Sequence, residues 1–161
     1  MHKRTLATFV VTAIGAMLAF AAVAVADNIT GTHGDDALTG TTADDHIVAK
    51  KGNDTVSALA GNDNVSGNKG DDVVNGDDGD DVVTGNQGAD QLNGGAGNDL
   101  IKARGDGNKA ADTITCGEDP DALDDDVDTV LADKNDVVAD DCENVDRTGN
   151  DNPHGNGPHN H

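Results

Sequence analysis

Residues 67–75, Gly-Asn-Lys-Gly-Asp-Asp-Val-Val-Asn, and residues 76–84, Gly-Asp-Asp-Gly-Asp-Asp-Val-Val-Thr, are two consecutive copies of one nine-residue pattern. Eight copies follow one another without a gap over residues 31–102. The sixth position is always aspartate: Asp36, Asp45, Asp54, Asp63, Asp72, Asp81, Asp90 and Asp99. The eighth position is always aliphatic: Leu38, Ile47, Val56, Val65, Val74, Val83, Leu92 and Ile101. One acid and one apolar residue per unit indicate a solenoid that carries a column of carboxylates.

Each copy can be divided into six residues of turn and three of strand. Glycine and Asn or Asp at the fourth and fifth positions tolerate left-handed backbone conformations, which a tight turn requires. The triplet around the aliphatic residue suits a short strand with its central side chain turned inward. Two copies then complete a coil of 18 residues, and the repeats form four coils. The predicted fold class is all-β, a parallel solenoid with turns along two opposite edges.

The pattern resembles the hemolysin-type, or repeats-in-toxin, calcium-binding nonapeptide repeats. The resemblance implies a parallel β-roll in which each calcium ion lies between stacked turns, held by aspartate carboxylates and turn carbonyls. By position, one edge would carry Asp36, Asp54, Asp72 and Asp90, and the other Asp45, Asp63, Asp81 and Asp99. Three gaps per edge leave room for about six of these hard cations, which take oxygen ligands. Asp112, in the less regular unit Asp112-Thr113-Ile114, is a further candidate ligand after a four-residue insertion.

Some copies depart from the family pattern, which usually begins with two glycines. Alanine replaces the first glycine at Ala49 and Ala58, followed there by Lys50 and Leu59, and Ala43 replaces the fourth-position glycine. The prediction therefore favours the sites around Asp63, Asp72, Asp81, Asp90 and Asp99 over those near Asp36 and Asp45.

The composition indicates that folding depends on the metal. The burial of eight inward aliphatic side chains contributes much less free energy than the conformational entropy lost by ordering 72 residues. Stacking also places like charges about 5 Å apart, and calcium would turn that repulsion into attraction. We therefore expect an expanded chain without calcium and a compact roll with it. The alternative is a calcium-independent solenoid in which the aspartates only cap turns.

The first 26 residues predict a signal peptide. A basic start precedes an apolar run, and Ala24-Val25-Ala26 supplies the small residues of a cleavage site. A single membrane anchor is the alternative. Cleavage would leave 31 acids against 8 Lys and Arg and no aromatic residue, since Lys3, Arg4 and both phenylalanines precede the cut. Such a charge disfavours nucleic acid and anionic membranes as partners. The predicted location is extracellular, without membrane insertion after cleavage.

The segment 116–146 keeps a less regular rhythm of acids and aliphatics, and we expect irregular final rungs and a cap. It resembles the closing segment of small secreted actinobacterial proteins that carry these repeats. The roll itself is predicted over 27–115, with its core at 31–102. In an exported chain, Cys116 and Cys142 are most simply one disulfide, with free thiols or an intermolecular bridge as alternatives.

Two other metal motifs are weaker. An EF-hand around Asp124, Asp126 and Asp128 would need glycine and glutamate where Thr129 and Asn135 stand, so we reject it. The tail 147–161 has no apolar period and is predicted to be disordered. The tail contains His154, His159 and His161, which could bind a transition metal. The favoured alternative is a solvent-exposed tail that binds no metal.

The sequence thus favours a secreted protein that binds several calcium ions and folds into a β-roll on binding them. The second hypothesis is an adhesive or matrix element at a cell surface, which calcium only makes rigid. An enzyme is disfavoured, because no nucleophile and base are recognisable as a pair and Ser57 and Ser66 fall within repeat strands.

Overall fold

The computed structural model describes residues 25–104, 110–117 and 126–147. Within these ranges the chain forms thirteen β-strands and no helix, so no helix there could cross a membrane. Most of the predicted signal peptide, residues 1–24, lies outside the described residues. So do Asp124 and the predicted tail beyond Arg147, with its three histidines.

The strands form two parallel sheets and alternate between them along the chain. The odd sheet contains β1 (Asn28–Thr30), β3 (His46–Lys51), β5 (Asn64–Lys69), β7 (Val82–Gln87), β9 (Leu100–Lys102), β11 (Thr129–Leu131) and β13 (Asn144–Asp146). The even sheet contains β2 (Ala37–Thr39), β4 (Thr55–Ser57), β6 (Val73–Asp78), β8 (Gln91–Ala96), β10 (Thr113–Thr115) and β12 (Val137–Val138). This alternation makes the chain a solenoid and confirms the predicted fold class.

The register confirms the 18-residue coil. Ile47 pairs with Val65, and Val65 pairs with Val83, so equivalent positions of every second copy lie side by side. Past the eighth copy, the sequence separation between paired residues is longer than 18. Thr113 pairs with Gln91, and Thr129 pairs with Leu100. The longer connections leave the sheets intact. Strands β11, β12 and β13, in the segment predicted as a cap, extend both sheets.

The interior is a thin layer of small and medium-sized side chains. The eighth-position aliphatics are all buried, and Ile114 and Val130 continue their row. A second row comes from the first position of the repeat, where Ala49, Ala58 and Cys116 are fully buried. Only small residues fit there because the chain turns from one sheet towards the other at that point. The two alanines that replace the first glycine, Ala49 and Ala58, are therefore core residues.

The strands are longer than the three residues predicted. In five copies they span six residues, because pairing continues through the first three positions of the next copy. Between the two halves of such a strand the backbone bends at the second repeat position, where the residue is left-handed. The φ values there are 85°, 83°, 81°, 72° and 81° at Lys50, Leu59, Asn68, Asp77 and Asn86. The expectation of a left-handed fifth position was wrong, and the second position takes that conformation instead.

Glycine at the fourth position is required by the stacking of turns. Gly88 has φ of 137°, and a Cβ on it would overlap the carbonyl oxygen of Gly70 in the coil below. Gly34, in the first turn of its edge, has no such neighbour, and the nearest atom to a Cβ there is 4.0 Å away. Ala43 likewise occupies the first turn of the other edge. The position thus accepts alanine where no turn lies below it.

The C-terminal rungs are held by a disulfide and by two arginines. Cys116 and Cys142 are joined, with their Cα atoms 5.3 Å apart, which confirms the predicted pairing. Arg104 donates to the carbonyls of Ala132 and Asp146 and forms an ion pair of 3.2 Å with the Asp146 carboxylate. Arg147 donates to the carbonyl of Asp136 at 2.8 Å. These contacts satisfy carbonyl oxygens in the last turns.

Candidate metal-binding columns

Turns that connect the odd sheet to the even sheet form the first edge, and turns that lead back form the second edge. The sixth-position aspartates stack along both edges, as the sequence predicted. The first column consists of Asp36, Asp54, Asp72, Asp90, Asp112 and Asp136. The second column consists of Asp45, Asp63, Asp81, Asp99, Asp128 and Glu143.

Each column is a continuous hydrogen-bonded ladder. One carboxylate oxygen of every member accepts the backbone N–H of the member before it, as when Asp54 N donates to Asp72 Oδ1 at 2.9 Å. Asp63 N donates to Asp81 Oδ1 at 2.7 Å in the second column. Asp45, the first member of the second column, accepts the backbone N–H of Asp27 through Oδ1 at 2.6 Å. These bonds fix the side chains in one orientation and leave Oδ2 for another partner.

That second oxygen is buried without a hydrogen bond in the inner copies. Asp54, Asp63, Asp72, Asp81 and Asp99 are at most 2% exposed. Their Oδ2 atoms have no hydrogen-bond partner among the residues that the structure describes. A buried carboxylate oxygen without a partner carries a large desolvation cost, so such a row calls for a cation.

The first two copies are different. Thr32 donates its N–H to Asp36 Oδ2 at 2.6 Å, and Thr41 donates its N–H to Asp45 Oδ2 at 2.5 Å. Asp136, at the other end, accepts from Asp133 N at 2.6 Å. Oδ2 of Asp36 and Asp45 therefore has a protein partner, unlike Oδ2 of the inner members Asp54, Asp63, Asp72, Asp81 and Asp99.

In the turns that a glycine opens, Oδ2 of the column aspartate points at that glycine. A Cβ on Gly67 or Gly85 would overlap Oδ2 of Asp72 or Asp90. At Gly76 a Cβ would overlap both Asp81 Oδ2 and the carbonyl oxygen of Gly94, one coil further on. At Gly76 a carboxylate oxygen and a carbonyl oxygen thus converge on a space that a side chain would fill.

Burial changes the acidity of these groups. Desolvation raises the pKa of Asp81 and Asp99 to about 7 and that of Asp72 to about 6, and the neighbouring column carboxylates add to the rise. Desolvation likewise raises the pKa of Asp54 and Asp63. The accepted backbone hydrogen bonds oppose the rise but do not cancel it. Near neutral pH the columns therefore hold protons that a metal ion could displace.

The donor set fits a hard cation. Within the described ranges, no three His, Cys, Asp or Glu side chains form a cluster that could hold a metal ion. A cation in a column must therefore take carbonyl oxygens in addition to carboxylates. Mixed carboxylate and carbonyl oxygens are the ligands that calcium prefers, and no sulfur or imidazole nitrogen belongs to either column.

Three column members were not predicted from the sequence. Asp128, Asp136 and Glu143 continue the ladders past the last regular copy, and burial raises the pKa of Asp128 to about 6. Each is followed two residues later by an aliphatic residue: Val130, Val138 and Val145. That acid–x–aliphatic spacing was the available signal, but connections of unequal length hid the register.

These features define a parallel β-solenoid with a ladder of carboxylates along each edge. Residues 39–74 and 66–101 match the family model of the RTX calcium-binding nonapeptide repeat (4 copies). The two matches together span residues 39–101, so this part of the chain is similar to the RTX calcium-binding repeats, as the sequence resemblance predicted. No curated protein matches the chain.

Proposed function

We propose that this protein is a secreted calcium-binding protein whose roll folds as several calcium ions enter the two columns. The observation that carries the proposal is the row of buried Oδ2 atoms without hydrogen-bond partners in Asp54, Asp63, Asp72, Asp81 and Asp99. A structure that buries uncompensated carboxylates at regular intervals is unfavourable by itself and becomes favourable with a divalent cation between them. Binding and folding are then one process.

The ligands we propose are the column aspartates together with the turn carbonyls. The inner members bind most strongly, Asp36 and Asp45 bind more weakly because threonine occupies their Oδ2 atoms, and Asp112 extends the first column. We propose about six ions, one per gap between the eight regular turns. The role is structural and not catalytic, and the N-terminal segment directs export.

Calorimetric titration of the purified protein tests this function. Calcium should bind in a multi-ion process with affinities of about 10⁻⁴ to 10⁻³ M, as extracellular modules have. Magnesium at the same concentrations should give little heat, because it demands a smaller octahedral shell and keeps its water. Absence of calcium binding up to about 10 mM, or equal binding of magnesium, contradicts the proposal.

A second function, adhesion, is favoured by the outward face of the even sheet. The chain has a net charge of −21. Nevertheless, no charged residue occurs at the outward-facing seventh and ninth repeat positions in β2, β4, β6, β8 and β10. These residues are Ala37, Thr39, Thr55, Ser57, Val73, Asn75, Gln91, Asn93, Thr113 and Thr115. A shallow groove there is lined by Asn75, Asn93 and Thr115, and Thr115 Oγ1 donates to Asn93 Oδ1 at 2.9 Å. Hydroxyl and amide groups without charge suit a neutral polysaccharide.

Co-sedimentation with insoluble neutral polysaccharides, with calcium and with chelator, tests the adhesive function. Binding should require calcium and should weaken when Asn93→Asp introduces a charge on this face. Asn64→Asp, on the odd sheet, is the matched control and should bind as before. Retention that is absent, or equally weakened by both variants, rules out this face as an adhesive surface.

A further inference from the structure

Among the residues that the structure describes, the lysines and arginines are concentrated at the first edge. The described part of the chain contains seven Lys and Arg residues: Lys50, Lys51, Lys69, Lys102, Arg104, Lys134 and Arg147. Lys102 is the last residue of β9, and the other six lie in β3 or β5 at the first edge or in connections that leave the odd sheet. The described residues of the second edge, at 40–45, 58–63, 76–81, 94–99, 116–117, 126–128 and 139–143, include no Lys or Arg.

The acids outside the columns show the opposite bias. Among the eight regular turns, those of the second edge add Asp44, Asp77, Asp78 and Asp80 to their column and contain no cation. Those of the first edge add only Asp35 and Asp71, and the same turns contain three cations, Lys50, Lys51 and Lys69. The second column therefore lies in a negative surrounding field, whereas the field around the first column is close to neutral or positive.

These charges are held close to the columns. Asp44 and Asp80 directly precede the column members Asp45 and Asp81, and each accepts the backbone N–H of the next coil, from Asn62 and Asn98, at 2.9 Å. Asp77 Oδ2 accepts from Ser57 Oγ at 2.5 Å. Hydrogen bonds therefore hold the carboxylates of Asp44, Asp77 and Asp80 beside the column that they flank.

The lysines of the first edge keep their charge available. Lys50, Lys51 and Lys69 form no ion pair with any residue of the described ranges. They follow a glycine or alanine that opens a turn of the first column, within five residues of Asp54 or Asp72. Their positive charge opposes a second positive ion at those turns.

We propose that the two edges load calcium in sequence, the second edge at lower calcium concentration than the first. This proposal rests on the proposed function, in which the columns bind calcium. The interaction energy of a divalent ion with each neighbouring charge is twice that of a monovalent ion, but solvent and salt screen exposed charges. We therefore expect the two edges to load at calcium concentrations that differ by on the order of tenfold. The first edge acts as the high-calcium half of the same site array.

Sequential loading gives the fold an intermediate state. Every coil contains one turn of each edge, so filling the second edge fixes one side of all coils and leaves the other side to be completed at higher calcium. The protein would respond to calcium over a wider concentration range than one set of equal sites could cover.

Matched pairs of variants test this inference by calorimetric calcium titration. Asp44→Asn with Asp80→Asn removes two charges from the second edge, and Asp35→Asn with Asp71→Asn removes two from the same repeat position of the first edge. Asparagine should preserve the hydrogen bond between coils at this fifth repeat position. Asn53 and Asn62 already accept the equivalent backbone N–H there, at 3.1 and 3.2 Å. Any difference between the pairs then reports the edge and not the loss of a bond.

The wild-type protein should show two binding phases. The second-edge pair should shift the low-calcium phase to about two- to fivefold higher concentration, and the first-edge pair should shift only the high-calcium phase. Lys51→Gln with Lys69→Gln should lower the calcium needed for the high-calcium phase. In about 1 M salt, where the screening length falls to about 3 Å, the two phases should approach each other.

One phase that shifts equally with both aspartate pairs overturns sequential loading while leaving the proposed function intact. Shifts of the opposite order, with the first-edge pair moving the low-calcium phase, also overturn it. A protein that binds no calcium at all refutes the proposed function, and this inference with it.

Discussion

At the scale of single residues, the column aspartates divide their two oxygens between structure and metal. Oδ1 of Asp81 accepts the N–H of Asp63, and Oδ2 lies buried beside Gly76 without a protein partner. The same side chain therefore stacks the coils and supplies a charged donor. This division explains why aspartate and not asparagine stands at the sixth position of every copy, although asparagine could form the ladder bond equally well.

Asp81→Asn tests that division. The amide oxygen can still accept from Asp63 N, whereas the charge at the second oxygen is lost. We expect the calcium concentration at the folding midpoint to rise about tenfold, since a charge-assisted contact is worth at least about 1.4 kcal/mol. Asp78→Asn removes the same charge from an exposed side chain of the same turn, and should shift the midpoint by less than about fivefold. Equal shifts in the two variants would show that Asp81 contributes only general charge.

The raised acidities predict how the calcium-free protein responds to pH. Asp72, Asp81 and Asp99 have pKa values of about 6 to 7 in the roll, above the ordinary value of about 4 in an unfolded chain. Between those values the folded chain holds more protons than the unfolded chain, so the roll loses stability as pH rises through that range.

In chelator, circular dichroism should therefore show more β-structure at about pH 4.5 than at about pH 7.5. Calcium at neutral pH should release protons as it binds, because it replaces them on the carboxylates. The calcium-loaded protein is the control and should vary little over the same range. A calcium-free protein that is equally unfolded at both pH values contradicts the burial of these groups.

At the scale of the repeat, the corner between turn and strand explains most of the residue choices. The first position is buried and small, the second is left-handed, and the fourth is glycine because the turn below presses against it. Side chains at the seventh and ninth positions face outward and vary freely. Each requirement comes from stacking and not from the copy alone.

A matched pair of glycines tests the stacking requirement. Gly88→Ala places a Cβ against the Gly70 carbonyl in a left-handed conformation, which should lower the free energy of unfolding in calcium by about 2 kcal/mol or more. Gly34→Ala puts the same methyl group at the same repeat position, where the nearest atom is 4.0 Å away, and should be close to neutral. Denaturant unfolding in saturating calcium measures both. Similar losses in the two variants would show that stacking does not select the glycine.

The repeat unit also shows what sequence could predict. The strict recurrence of Asp72 and Val74 in every copy was sufficient for the coil length, the two edges and the inward aliphatic row. The long strands were not predictable from the same pattern, because non-glycine residues such as Lys50 and Leu59 rarely adopt positive φ and nothing in one copy indicates that they do. Backbone pairing between neighbouring coils imposes that conformation.

The additional column members show a second limit. Asp128 stacks on Asp99 at a sequence separation of 29 residues, and Asp136 stacks on Asp112 at a separation of 24, whereas column members in the regular copies are 18 residues apart. A period search cannot follow such connections. The charge bias between the edges was also hidden, because it emerges only when alternate copies are assigned to opposite sides of the coil.

At the scale of the whole molecule, the solenoid has a small interior and a large charge. Its core contains aliphatic residues, alanines and one disulfide half, with no aromatic side chain among the described residues. Ten aspartates are buried beside that core. Folding without a counter-ion would therefore bury charge or force protonation, and neither is favourable at neutral pH. Calcium removes that obstacle, which is why we treat binding and folding as coupled.

The most direct test is a calcium titration of the purified protein at neutral pH, followed by far-ultraviolet circular dichroism. Our account predicts a largely disordered spectrum in EGTA, a steep gain of β-structure as calcium is added, and no comparable gain with magnesium. A protein that shows the same β-structure and the same thermal stability in excess EGTA as in calcium would contradict it.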